Sequence, residues 1–144
     1  MTGGTDGLVK LWTYNLERRG FEPETIAARG AWIKDVVYVQ NNAAALALPS
    51  EYLAGERGEV VAFCAEDKTV WVLRRMEGKW REFELPSQKL PVVKLSWNVD
   101  GHVLAAASAD GTVLLFEEVA PGRWDCISTL KNPQPPSDDP KPNN

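Results

Sequence analysis

The chain is poor in the residues that most catalysis and metal binding require. It has one histidine and two cysteines in 144 residues. The cysteines, Cys64 and Cys126, are not spaced as a CxxC pair, so zinc has no ligand set. Both lie in apolar, strand-like segments, where two buried free thiols in a reducing compartment are expected rather than a disulfide. No apolar run approaches the roughly 20 residues that span a bilayer. No basic start followed by an apolar stretch marks a signal peptide. Basic excess is lacking too: net charge is −4, which excludes wholesale electrostatic binding to nucleic acid.

Long segments of helical period are scarce as well. Short β-branched and aromatic runs, punctuated by Gly, Asp and Asn, replace them, and this pattern predicts an all-β chain of about ten short strands. Hydrophobic content of 44% and charged content of 25% suit one modest folded domain.

The runs repeat. TDGLVKLW (residues 5–12), EDKTVWVL (66–73) and ADGTVLLF (109–116) each place an Asp, then Gly or Lys, before a strand. Asp6, Asp67 and Asp110 are expected to accept hydrogen bonds from amides of their own turns. Each strand reaches a large apolar residue six positions on: Trp12, Leu73 and Phe116, expected as core plugs. A Gly-containing turn, an aromatic (Phe21, Trp80, Trp124) and another strand follow. Before the second and third Asp turns come AWIKDVVYV, with Trp32 and Tyr38, and PVVKLSWNVDG, with Trp97. One unit is therefore a four-stranded antiparallel meander.

Asp67 and Asp110 are 43 residues apart, within the roughly 40–45 of a WD-type propeller blade. Asp6 and Asp67 are 61 apart, and the excess falls in an insertion at residues 40–59, expected as a loop. The fold class is an all-β WD-repeat propeller fragment. Residues 1–28 end one blade, 29–88 form a second with the insertion, and 89–130 form a third. The Pro-rich segment 131–144 has too few apolar residues to fold and is expected to be disordered, with polyproline II as the alternative. The pattern expects a chain that begins mid-blade, its earlier blades encoded upstream or supplied by another chain.

Catalytic readings gain little support. His102 has Ser96, Ser108 and Asp100 near it in sequence, but strand alternation sends neighbours to opposite faces, and no triad is assigned. GGTDG lacks the Lys-Ser/Thr of a phosphate loop and precedes a strand rather than a helix. Arg18–Arg19, Arg74–Arg75 and Lys79/Arg81 around Trp80 read as solvated strand-edge residues rather than an RNA surface. No catalytic, cofactor or metal site is expected.

From about Gly3 to Ser128, WIKDV, EGKWREFEL, VKLSWNVDGHVLAAASADGTVLLF and GRWDCIS resemble, in order, the C-terminal half of the Sec-thirteen family. The final blade's SWN…LA…DG…V pattern is also similar to the Seh-type nuclear-pore propeller. Only Trp12 supplies a signature tryptophan, and the Gly-His usual before each blade is missing. The resemblance implies a six-bladed open propeller closed by a blade donated from a large partner. That partner would be a Sec-thirty-one-like subunit of the COPII coat or a helical nucleoporin of the pore's Y complex, with a nutrient-signalling complex as a further home. It implies a scaffold on ER membranes, COPII vesicles and nuclear pores. A general WD-repeat adaptor that binds peptide motifs is the alternative.

Overall fold

The computed structural model describes residues 1–41, 58–86, 88–99, 101–120 and 122–131. Among them the chain forms eleven strands and no helix. The strands make three antiparallel sheets, each in plain sequence order. The first holds β1 (Thr2–Gly3), β2 (Leu8–Asn15) and β3 (Gly20–Ala28). The second holds β4 (Ile33–Asn41), β5 (Gly58–Ala65), β6 (Val70–Met76) and β7 (Lys79–Glu84). The third holds β8 (Val92–Trp97), β9 (Val103–Ser108), β10 (Val113–Ala120) and β11 (Arg123–Leu130). These are propeller-type blades, stacked face to face and not closed into a ring.

The three Asp turns share one geometry. A carboxylate oxygen of each Asp accepts the amide two residues on: Leu8 at 3.0 Å, Thr69 at 3.1 Å and Thr112 at 2.9 Å. The residue between takes a left-handed backbone, with φ of 75° at Gly7, 71° at Lys68 and 85° at Gly111. Gly7 has a second constraint, since a Cβ there would lie 1.8 Å from the Arg29 carbonyl oxygen. The backbone amide and then the side-chain hydroxyl that Thr112 donates to Asp110 hold that carboxyl below its ordinary range.

Why the sheets stack follows from β5. Its run VVAFCA carries no polar side chain, and residues 60–65 are all buried. Such a strand needs cover on both faces. Val61, Phe63 and Ala65 point to one core with Val9, Ile26, Ala27, Ile33 and Leu73, between the first and second sheets. Val60, Ala62 and Cys64 point to the other, with Val92, Leu95, Leu104, Phe116 and Trp124, between the second and third.

The chain was expected to carry an insertion at residues 40–59. Gln40 pairs with Glu59 and Asn41 with Gly58, so strand pairing occupies its two ends. Residues 42–57, like 132–144 of the Pro-rich segment, lie outside the described residues.

Candidate interaction surfaces

Each sheet has a forward face, turned toward the next sheet in the chain, and a backward face, turned toward the one before. The repeated positions sort by face. The apolar residue six places after the Asp lies on the backward face. Leu73 fills the core against the first sheet and Phe116 the core against the second, both without exposure. Trp12 corrects the expectation of a third plug, because it is 39% exposed. It stands on the backward face of the first sheet, where no sheet packs, and its Nε1 donates to Thr2 Oγ1 at 2.9 Å.

The aromatics after the Gly turns obey the same rule. Trp124 is buried in the core between the second and third sheets. Trp80 packs, half-buried, on the core between the first and second. Phe21 is 66% exposed beside Tyr14, ring centroids 5.2 Å apart. Trp32 is exposed at the start of β4, with the Lys34 ammonium 5.9 Å from its ring centre. Trp97 packs edge-on to Trp124, centroids 5.7 Å apart, and its Nε1 donates to the Val37 carbonyl at 3.3 Å.

Besides the Trp97–Val37 bond, two polar links involving carboxylates lock the second sheet to the third. A β-bulge between Ile33 and Asp35 turns Lys34 outward and aims the Asp35 carboxylate forward. One oxygen accepts the Val36 amide at 3.0 Å, and the other accepts the Leu95 amide of β8 at 2.8 Å. Leu95 has no ladder bond for that amide to make, since β8 is the edge strand of its sheet. At the far side Arg74 forks onto both carboxylate oxygens of Glu118, one contact at 3.0 Å, and Glu118 also accepts the Gly122 amide at 3.0 Å. Planar guanidinium and carboxylate match in this bidentate geometry.

Of the arginines expected as solvated edge residues, Arg18, Arg74 and Arg75 are engaged in ion pairs, Arg18 while its side chain stays 80% exposed. Besides Arg74, Arg75 pairs with Glu59 at 3.2 Å and Arg18 with Glu22 at 3.1 Å. Glu59 accepts from the Tyr38 hydroxyl at 3.4 Å, and burial together with that carboxylate raises the phenol above its ordinary value. Arg29, unremarked in the sequence, joins the first and second sheets. Its guanidinium stacks 4.1 Å from the Trp71 ring centre and pairs with Glu82 at 2.5 Å. Only the chain reversal of residues 28–31 brings it there, and no local motif announces it.

The thiols differ from expectation in one respect. Cys64 is buried, and desolvation, with the nearby Asp35 charge, pushes its pKa up to about 12. Cys126 is exposed, because β11 is an edge strand that presents only Trp124 fully to the core.

The residues weighed as a triad do not converge. Ser108 is buried on the backward face of β9, in phase with Leu104 and Ala106. Ser96 pairs with Ala105 and faces the other way. Asp100 lies outside the described residues. Among the described residues no group of three His, Cys, Asp or Glu side chains is placed to hold a metal ion. An open cleft between the second and third sheets is lined by Glu84, Leu85, Pro86, Gly122, Arg123 and Trp124.

Two broad faces thus stand uncovered by the described residues. One is the backward face of the first sheet, with Trp12, Tyr14 and Phe21. The other is the forward face of the third sheet. There Ala105, Ala107, Val113 and Leu115 are half-exposed at positions whose counterparts in the second sheet are covered. Ile127, 49% exposed, lies at the bulge between β10 and β11. Contiguous apolar faces of this kind mark interaction sites.

Comparison with known proteins agrees with this geometry. The family model described as "Anaphase-promoting complex subunit 4 WD40 domain" matches residues 55–126. Protein transport protein SEC13 of Eremothecium gossypii is 32% identical over 135 residues, which cover 90% of this chain and 41% of that protein. SEC13 of Saccharomyces cerevisiae is 31% identical, covering 87% and 39%. SEC13 of Mycosarcoma maydis is 30% identical, covering 90% and 36%. The chain spans about two fifths of the length of these curated relatives.

Proposed function

We propose that this chain, which belongs to the WD40 domain family, is part of a non-catalytic scaffold in vesicle-mediated protein transport. The similarity to proteins named for protein transport supports the process. The finer reading is a subunit of the COPII coat in ER-to-Golgi transport and of the nuclear-pore Y complex. In it, an open propeller is completed by a blade from a Sec-thirty-one-like coat subunit or a helical nucleoporin. Its work is shape, with rigid blades that stiffen a long partner on the cytoplasmic side of ER membranes and vesicles and at the pore.

One observation carries the reading: the centre of the third sheet's forward face is apolar and uncovered by the described residues, while the equivalent face of the second sheet is packed. A face built on the same register as a working inter-sheet contact is prepared to receive another sheet. The test is co-purification of the chain with a Sec-thirty-one-like coat subunit, followed by hydrogen exchange. Added amide protection in β8 to β10 is the expected result. Binding of short peptides alone, with no strand-contributing partner, would replace the scaffold with a peptide adaptor.

A further inference from the structure

The second and third sheets match residue by residue, and the match exposes a reversal of charge. On the forward face of the second sheet, Asp35 lies beside Cys64, which lies beside Val70, and Val60 lies beside Arg74. On the forward face of the third, Lys94 lies beside Ala107, which lies beside Val113, and Val103 lies beside Glu117. The bulge that aims Asp35 recurs between Val92 and Lys94. The apolar positions of β5 and β6 remain apolar and Val37 of β4 gives way to Ser96, while both charged positions change sign: Asp35 becomes Lys94, and Arg74 becomes Glu117.

In the second sheet these two positions hold the next sheet. Asp35 accepts the Leu95 amide, and Arg74 grips Glu118. Their counterparts cannot do the same. A lysine ammonium only donates, so Lys94 cannot accept a neighbour's edge amide. A glutamate at Glu117 repels another placed as Glu118 is. The Lys94 ammonium and the Glu117 carboxylate have no ion-pair or hydrogen-bond partner among the described residues. A copy of the third sheet is therefore mismatched on its own forward face. The first sheet of a second copy offers the neutral Tyr14 at the place of Glu118, which supplies no cation for Glu117.

Resting on the scaffold reading above, we propose that Lys94 and Glu117 select the sheet that docks on this face. The occupant is a β-sheet of a partner chain with a carboxylate in the strand beside β8 and a lysine or arginine in the strand beside β10. Lys94 donates to the first, and Glu117 receives the second. The apolar centre supplies contact area, and the two charges at its margins fix register and exclude sheets patterned like this chain's own.

The test uses the whole chain and a purified Sec-thirty-one-like coat subunit as the probe. Lys94→Glu and Glu117→Lys are compared with the conservative Lys94→Arg and Glu117→Asp. Circular dichroism and the urea midpoint establish that each variant is folded. Each reversal is expected to weaken binding by about tenfold or more, with the conservative variants within about threefold. Opposite reversals in the probe's facing strands should restore affinity. Undiminished binding by both reversals would overturn the selection by charge and leave the scaffold reading standing. Failure of the unaltered chain to bind the probe would overturn the scaffold reading, and this inference with it. Sedimentation of the chain alone covers the remaining occupant: self-association abolished by the same reversals would assign the face to a second copy and overturn a partner chain.

Discussion

Replacing Asp35 with alanine should loosen the joint between the second and third sheets more than any surface substitution. The carboxylate accepts two amides, Val36 at 3.0 Å and Leu95 at 2.8 Å. The first bond is local and partly survives in the unfolded chain. The second joins residues 60 apart in sequence. A hydrogen bond to a charged group contributes about 1.5–3 kcal/mol, and an orphaned, part-buried donor costs a similar amount. The expected loss is therefore about 2–3 kcal/mol. For a urea m-value of about 2 kcal/mol/M, the midpoint falls by about 1 M. Equilibrium unfolding followed by tryptophan fluorescence measures this, and amide exchange locates it, since Leu95 should lose protection while Val72 keeps it. A midpoint within about 0.2 M of the unaltered chain, or an unchanged Leu95 amide, would refute the idea that this carboxylate ties the sheets together.

Other predictions separate the two faces and the local turns. Leu73→Ala and Phe116→Ala should each cost about 2–5 kcal/mol in urea unfolding, because both side chains fill closed cores. Trp12→Ala should cost less than about 1 kcal/mol on the isolated chain, although it occupies the same repeat position. In the folded chain a thiol reagent should label Cys126 quickly and Cys64 only on unfolding. The Cys64 pKa of about 12 is raised above its unfolded value. Its contribution is therefore intact below about pH 8.5 and declines toward pH 12, by up to about 1.4 kcal/mol per pH unit. Pulsed labelling across that range tests the sign. Lys68→Gly should raise the melting temperature by about 2–4 °C, since it relieves a left-handed φ of 71°.

Much of the fold was legible because its signals are local. An Asp followed by Gly specifies a turn, and the repeat extends it to Asp67-Lys68, so the three turns and the strands after them could be placed from sequence. The unbroken apolar run of β5 likewise announces a strand covered on both faces. The errors share one cause, which is that burial belongs to neighbouring sheets and not to the residue. Trp12 and Leu73 occupy the same place in the repeat, yet one faces open space and the other a packed sheet. Cys126 looked like a core thiol because its segment alternates well, but an edge strand buries little. Asp35 was readable as an oddity, a lone acid within apolar WIKDVVYV, although its partner lies in another repeat. Lys94 and Glu117 acquired meaning only when register placed them opposite the positions of Asp35 and Arg74.

The doubly covered strand β5 has a consequence for how this chain fails. Residues 60–65 are six consecutive apolar residues without charge, proline or glycine, the composition that stacks into cross-β fibrils when exposed. The fold keeps the segment at the centre of its sheet, hydrogen-bonded on both sides. Glu59 and Glu66 flank it, acting as charged gatekeepers against stacking. Variants that pry the sheets apart should therefore precipitate as concentration rises, and the onset of turbidity should track the opening of β5 rather than global melting.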